Sequence, residues 1–207
     1  MIAWLGGVAL VVGGWLGSAD GPGAIPTGVT RVEEDWELVV GVPDPTNSGP
    51  QITTVMSPMI QAPWIQMTFN LNYRDDPFAG GGMQIRLWSD KQVIAQKSVS
   101  AQQIATANET IGWTQAISLN SGILTLEVKN GNSTTWGTFG GSALRLQVAT
   151  SLPNLDGYQV SESVANSGCG YQSNRVRLMR LKEVRYYVGN ELVVRDDQPK
   201  VLLANAE

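Results

Sequence analysis

The stretch EEDWELVV, which runs from Glu33 to Val40, has a period of two. Three carboxylates stand at its odd-numbered positions and three large apolar side chains at even-numbered ones: Glu33, Asp35 and Glu37 against Trp36, Leu38 and Val40. Because successive side chains of a β-strand point to opposite faces, the stretch predicts a strand with an acidic face and a core face. The acidic face has three interpretations: a catalytic row, a metal site or a solvated surface.

The same pattern of strands and turns continues from residue 29 onward. Ten strands are predicted, near residues 30–40, 51–57, 64–74, 82–89, 92–99, 112–119, 122–129, 143–150, 174–188 and 191–195. Short turns such as Asn120-Ser121-Gly122 and Gly189-Asn190 join neighbouring strands as hairpins. The stretch from Ala101 to Thr106 is the one helical candidate. The predicted fold is therefore all-β, an antiparallel, jelly-roll-like β-sandwich.

Three segments follow from this pattern. Residues 1–19 form an apolar N-terminal arm, residues 20–28 are a linker rich in glycine and proline, and residues 29–207 are the sandwich domain. The alternation predicts twelve core residues: Trp36, Leu38, Phe69, Leu71, Ile85, Leu87, Leu126, Val128, Leu146, Val148, Val176 and Val184.

The composition narrows the classes of function. Of 207 residues, 43% are hydrophobic and only 15% are charged, against about 25% charged in an average domain. A surface rich in uncharged polar residues is typical of an exported or assembled protein, so an extracellular or cell-surface location is expected. The net charge of −4 argues against a nucleic-acid partner. The absence of histidine and the single Cys169 exclude Ser-His-Asp and Cys-His nucleophiles and an ordinary zinc site.

The arm, MIAWLGGVALVVGGWLGSA, carries no charged side chain. Its apolar run, residues 2–17, is shorter than the roughly 17–25 residues of a membrane span. Gly17-Ser18-Ala19 resembles a signal-peptide cleavage site, although no basic residue precedes the run. A cleaved signal, a membrane helix and an arm donated to a neighbouring protein are the three interpretations, and we expect residues 2–17 to be buried against another molecule.

Small residues in the arm recur at helical spacing. Gly6 and Gly13 are seven residues apart, as are Gly7 and Gly14, and Gly13 with Gly17 makes a GxxxG pattern. Such a face lets another backbone approach closely, and an added strand is the alternative. The predicted assembly contacts are Trp4, Gly6, Gly7, Gly13, Gly14, Trp15 and Gly17.

The acidic row of Glu33, Asp35 and Glu37 resembles the E-x-D-x-E pattern of glycoside hydrolases with concanavalin-A-like sandwiches. In retaining enzymes the two carboxyl groups are about 5–5.5 Å apart, whereas residues four apart on a regular strand are separated by about 13 Å. The row also lies near the N-terminus, where a sheet edge is expected. We therefore predict no catalysis, and a solvated acidic face is the favoured interpretation.

Two further charged groups are candidates for binding. Asp75-Asp76 follows a predicted strand and precedes a glycine-rich loop, which makes calcium possible there; no other cofactor is expected. A basic row, Arg175, Arg177, Arg180, Lys182 and Arg185, lines the strand near residues 174–188, with a register break predicted near Met179. Acidic and basic rows are predicted to meet, either within one chain or between copies.

Four segments carry a resemblance to known proteins: EEDWELVVGVPDP, QITTVMSP, WGTFGG and NRVRLMRLKEVRYYVGNELV. Together they resemble an uncharacterised family of secreted, planctomycete-type bacterial proteins that share a DWELVV start and a TWG-FGG segment. The resemblance covers roughly residues 31–198 and implies an exported sandwich without assigning catalytic residues. LEVKNGNSTTWGTFGG is similar in architecture to laminin-G and concanavalin-A-like jelly rolls.

These observations support three hypotheses of function. The first is an exported structural subunit that assembles on the cell surface, as a filament, tube or layer, through its arm. The second is a lectin-like module that binds or cleaves carbohydrate. The third is an accessory subunit that residues 2–17 anchor to a membrane complex.

Overall fold

The computed structural model describes residues 27–42, 52–58, 65–71, 82–104, 106–161, 164–166 and 176–204. The arm and most of the linker, Asp75-Asp76, Cys169 and Arg175 lie outside these residues. Within them the chain forms thirteen strands: β1 Arg31–Val40, β2 Ile52–Met56, β3 Ile65–Leu71, β4 Gly82–Ser89, β5 Gln92–Ser100, β6 Thr110–Asn120, β7 Ile123–Ser133, β8 Gly137–Phe139, β9 Arg145–Ala149, β10 Val164–Asn166, β11 Val176–Val188, β12 Glu191–Asp196 and β13 Lys200–Ala204.

The strands form two antiparallel sheets. The large sheet has eight strands in the order β12-β11-β1-β6-β7-β8, with β13 also paired to β11 and β9 to β7. The small sheet has five strands in the order β10-β2-β3-β4-β5. Phe69 of the small sheet meets Trp113 of the large sheet edge to face, with ring centroids 5.6 Å apart. The two inner faces share one apolar core, so the predicted β-sandwich is confirmed.

The predicted core is confirmed at eleven of its twelve positions, which are all buried. Val148 is the exception, because it is only partly buried and packs against the margin of the core. Trp36 lies in the centre of the core and stacks on Trp113 at 6.3 Å. The alternation of β1 therefore has the predicted sense, with Leu38 and Val40 inside.

Other expectations were wrong. The described residues between Ala101 and Thr106 form no helix; the helical element that the described chain does contain is a short 3₁₀ turn, Gly141–Leu144. The strands β8, β10 and β13 were not predicted; β8 and β10 have three residues each, too few to show a period of two. The strand β1 is not at an edge but between β6 and β11. Nearness to the N-terminus did not predict its place, because both of its partners come from far along the chain.

The strand β11 shifts register with β13 between Met179 and Arg180, where a break was predicted, and it contains two bulges in its pairing with β1. Arg177 and Lys182 are each skipped in the pairing with β1. Each bulge shifts the alternation by one residue, so the buried positions become Val176, Met179, Leu181, Val184 and Tyr186. Leu178 is only half-buried and pairs with Val39 on the other face of the sheet.

Gly140 allows the chain to turn tightly beside β7. Its backbone has φ 113° and ψ −154°, a region that is essentially restricted to glycine. A Cβ at this position would lie 2.6 Å from the carbonyl oxygen of Val128 and 2.9 Å from the Cα of Lys129. Gly141 also has positive φ, at 71°, but a Cβ there would meet no atom within 4 Å.

We expect Gly140→Ala to lower the free energy of unfolding by about 3 kcal/mol, because backbone strain and a steric clash add. The matched control Gly141→Ala has only the conformational cost, about 1–2 kcal/mol. Urea denaturation followed by tryptophan fluorescence measures both. Equal losses in the two variants would contradict the packing of Gly140 against β7.

Candidate functional site

The acidic row lies on the outer face of the large sheet, in the middle of β1. Glu33 is only 6% exposed. Three cations lie around its carboxylate, at 2.5 Å for Nζ of Lys129, 3.1 Å for Nη2 of Arg185 and 3.3 Å for Nε of Arg31. Burial disfavours the charge of Glu33, but the hydrogen bond and charge of Lys129 and the charges of Arg185 and Arg31 outweigh it, so its pKa is lowered.

The other two carboxylates of the row are also paired. Asp35 accepts hydrogen bonds from Nη1 of Arg185 at 2.6 Å and from the hydroxyl of Thr114 at 2.6 Å. Glu37 lies 2.8 Å from Nη2 of Arg180. The acidic row is therefore covered by cations, and the expectation of a freely solvated face is wrong.

The acidic and basic rows meet within one chain. Because β1 and β11 are antiparallel neighbours, Glu33 lies opposite Arg185 and Glu37 lies opposite Arg180. Lys182, at one bulge, is exposed, and Arg177, at the other, is half-buried. A contact between separate copies is therefore not needed to pair Arg180 and Arg185 with carboxylates.

This arrangement is unlike the carboxylate pair of a retaining glycosidase. The register between β1 and β6 is continuous from Arg31 to Val39, and the extra residues of the bulges belong to β11. Glu33 and Glu37 are therefore about 13 Å apart along a regular strand, beyond the spacing that retention requires. A lowered pKa also makes Glu33 a poor proton donor at neutral pH.

The inner face of the same strand holds a buried carboxyl that the sequence reasoning missed. Glu34 is fully buried. It accepts hydrogen bonds from the hydroxyl of Tyr158 and, at 3.1 Å, from Nε1 of Trp36. The available signal was its even number, which puts it on the core face between Val32 and Trp36.

Burial raises the pKa of Glu34 to about 7, despite the hydrogen bonds from Tyr158 and Trp36 and the positive charge of Lys200. Burial, followed by the charge of Glu34, also raises the pKa of Tyr158 well above its usual range. The ring of Tyr186 packs edge to face on Tyr158, with centroids 6.2 Å apart. The hydrogen bonds that Glu34 accepts in this cluster come from an indole and a phenol rather than from cations.

A second buried polar group lies beside Glu34. Gln115 is its direct partner on β6, and its Oε1 accepts hydrogen bonds from Thr54 of the small sheet and, at 3.1 Å, from Nε1 of Trp113. The contact with Thr54 fixes the two sheets relative to each other at a polar point. Nε2 of Gln115 is buried without a hydrogen-bond partner, which costs stability.

A cleft of about 530 Å³ opens where the end of β5 faces β8 and the 3₁₀ turn. Its apolar lining includes Met83, Val99, Trp136, Phe139 and Leu144. Its polar lining includes Ser100, Gln102, Thr135 and Thr138. The cleft combines aromatic and aliphatic surface with hydroxyl and amide groups, as ligand sites commonly do.

Hydrogen bonds hold the aromatic wall of the cleft in place. Nε1 of Trp136 donates to the carbonyl oxygen of Gln102 at 2.7 Å, and the ring meets Phe139 edge to face at 5.8 Å. The buried carboxylate of Glu109 accepts from the backbone N–H of Thr135 at 2.8 Å and from its hydroxyl. The WGTFGG segment thus forms one wall, and residues some 35 positions earlier in the chain complete the cleft, which no local pattern predicts.

Metal and membrane sites can be tested only in the part of the chain that the structure describes. There, no group of three or more Cys, Asp or Glu side chains is arranged to hold a metal ion. No helix in these ranges is long and apolar enough to cross a membrane. The calcium prediction at Asp75-Asp76 and the assembly residues of the arm, from Trp4 to Gly17, lie outside the described residues.

Comparison with known proteins does not assign the chain. No family model matches it, and no curated protein matches it. The resemblance to secreted planctomycete-type proteins therefore stays a prediction.

We expect the free energy of unfolding to fall by about 3 kcal/mol between pH 4.5 and pH 7, because Glu34 binds its proton more tightly when folded. The stabilisation is complete below the usual pKa of 4.5 and is lost as pH rises through about 7. Urea denaturation between pH 5 and pH 8 measures this slope, and Glu34→Gln should flatten it. Glu33→Gln is the control. Because the pKa of Glu33 is lowered, its effect on the free energy of unfolding is confined to acidic pH and has the opposite sign, with stability lost as pH falls. A slope that persists in Glu34→Gln would disprove the assignment.

We expect Arg185→Ala to lower the free energy of unfolding by about 3 kcal/mol, since it leaves Glu33 and Asp35 partly uncompensated in a half-buried site. The side chain of Arg185 is 19% exposed. Arg195→Ala is the control, because the side chain of Arg195, which pairs with Glu183, is 57% exposed. Ion pairs on exposed surfaces contribute less than about 1 kcal/mol to stability. Chemical denaturation at neutral pH compares them, and similar losses would contradict this ranking.

Proposed function

We propose that the chain is an exported structural subunit that assembles with copies of itself and performs no catalysis. The observation that carries this proposal is the edge formed by β5. It is a nine-residue strand, it pairs only with β4 among the described strands, and seven of its residues are exposed.

The other edges of the two sheets differ from β5. One long edge of the large sheet is divided between β12 and β13, and the other between β8 and β9. The far edge of the small sheet is β10, with three residues. Short, interrupted edge strands limit unwanted pairing between molecules. The strand β5 is longer than these edge strands; it has one bulge, at Ile94, and a single charged residue, Lys97.

An exposed strand edge can bind an extended segment of another chain through main-chain hydrogen bonds. Val93 and Ile94, at one end of β5, are 38% and 47% exposed. They add apolar surface to the edge, which favours association over repulsion. The low charge of the whole surface and the uncharged arm support an assembled state outside the cell.

The absence of catalysis is part of the proposal. The carboxylates of the acidic row are each paired with cations, and Glu34 is sealed in the core. Neither arrangement presents an accessible acid and base at a common point, as glycoside hydrolysis requires.

Carbohydrate binding is a second candidate, which the cleft favours. Trp136 supplies a held aromatic surface, while Ser100, Gln102 and Thr138 supply hydroxyl and amide groups within the same lining. Aromatic surface with a few polar groups suits a sugar ring, which has apolar faces and polar edges.

We expect the full chain to form polymers and a variant lacking residues 1–19 to be a folded monomer, because the arm is the apolar segment available for donation. Negative-stain microscopy and light scattering distinguish these states without detergent. Circular dichroism checks that the truncated chain keeps its β-structure. Polymers of the truncated chain would remove the arm from the mechanism.

If the carbohydrate candidate is correct, the truncated chain is retarded in native gels that contain a bound neutral polysaccharide. Trp136→Ala then abolishes the retardation, because it removes the aromatic wall of the cleft. Trp88→Ala is the control, since Trp88 belongs to the small sheet away from the cleft lining. Unchanged mobility of the parent chain in every polysaccharide tested would reject this candidate.

A further inference from the structure

We propose that one copy donates residues 8–12, VALVV, as a strand that pairs with β5 of the next copy and places apolar side chains in its cleft. The inference rests on the proposed function and specifies the contact that would join the subunits. It commits the cleft to a segment of a second copy rather than to a sugar.

The edge and the cleft are adjacent parts of one surface. Val99 and Ser100 belong both to β5 and to the lining of the cleft. A strand added beside β5 would therefore find backbone partners on one side and apolar surface from Trp136 and Phe139 nearby. Main-chain pairing together with side-chain pockets is the general mode of strand addition.

The sequence of the arm fits this receptor. Residues 8–12 contain three valines, one leucine and one alanine, with no proline, glycine or charge. β-Branched residues favour a strand, and alternate side chains of that strand would point toward the cleft. Lys97 of β5 meets no like charge in such a segment, and its Nζ already donates to the carbonyl oxygen of Ser142 at 3.0 Å.

The first described residues of the chain and the cleft are at different ends of the domain. Thr30, near the start of the described chain, donates its N–H to the carbonyl oxygen of Tyr187. Phe139, in the cleft wall, pairs with Gly131 of β7. The residue after Gly131 is Asn132, which pairs with Gly112 of β6, and Gly112 lies opposite Glu37 of β1. The cleft is therefore level with Glu37 along the sheet. Thr30 and Glu37 are seven residues apart, about 24 Å along the sheet. The cleft is also displaced across the sheet, because β8 lies three strands from β1, about 14 Å at the usual strand spacing.

The proposed contact joins two different surfaces, the arm of one copy and β5 of the next, so it is heterologous. Such contacts join copies head to tail and build filaments unless the rotation closes a ring. The segment between residues 12 and 27 spans up to about 50 Å when extended, so docking on the arm's own domain is the competing arrangement that the experiment must separate.

Photo-crosslinking tests the contact without assuming a register. The full chain carries Cys169→Ser, so that a benzophenone maleimide labels only Cys introduced by Ser98→Cys on exposed β5. Equal amounts of ¹⁴N-labelled and ¹⁵N-labelled chain are coassembled and irradiated, and mass spectrometry identifies the linked peptides. We expect mixed-isotope links between position 98 and residues 1–19. The control is Val193→Cys on the edge strand β12, which should yield no link to the arm.

Each result decides one question. Links to the arm found only within a single isotope, with no mixed-isotope links, would overturn donation between copies. Polymers that form with no link from position 98 to the arm would overturn the site but leave assembly intact. A full chain that stays monomeric would reject the proposed function itself. A soluble oligosaccharide that binds at Trp136 while the crosslink yield is unchanged would show that the arm lies elsewhere and overturn the site.

Discussion

The pairing of β1 with β11 is the interaction on which the rest of this sandwich depends. It joins residues about 150 positions apart, as the contact between Arg185 and Asp35 illustrates. It places β1 inside the large sheet and leaves β12 and β13 to share the outer side of β11. It also gives the acidic row its cations, because Glu33 and Glu37 lie opposite arginines and Arg185 also donates to Asp35.

Adjacent carboxyl groups on β1 have opposite properties because the strand separates two environments. Glu33 is surrounded by three cations and is held ionised, whereas Glu34 meets a phenol and an indole in the core and holds its proton more tightly. The face of the strand on which a carboxyl lies, rather than its residue type, decides whether it is stabilised as an anion. The outer charges stabilise the sheet at neutral pH, while the inner carboxyl makes the core more stable under mild acid.

The sequence predicted what depends on local alternation and missed what depends on distant partners. Trp36, Leu38 and their equivalents were identified as core because a period of two needs no knowledge of neighbouring strands. The central place of β1, the bulges at Arg177 and Lys182, and the cleft between Ser100 and Leu144 all arise from pairings between remote segments. Glu34 could have been found by parity alone, because Val32 and Trp36 place the even-numbered positions of β1 in the core.

The remoteness of the partners of β1 has a consequence for how the chain matures. When β1 leaves the ribosome, its partner β6 is some 80 residues from synthesis and β11 some 150, so a closed large sheet cannot form until almost the whole chain exists. Folds dominated by such non-local contacts form slowly. A chain that closes slowly leaves its apolar segments exposed for longer, which favours association between incompletely folded molecules.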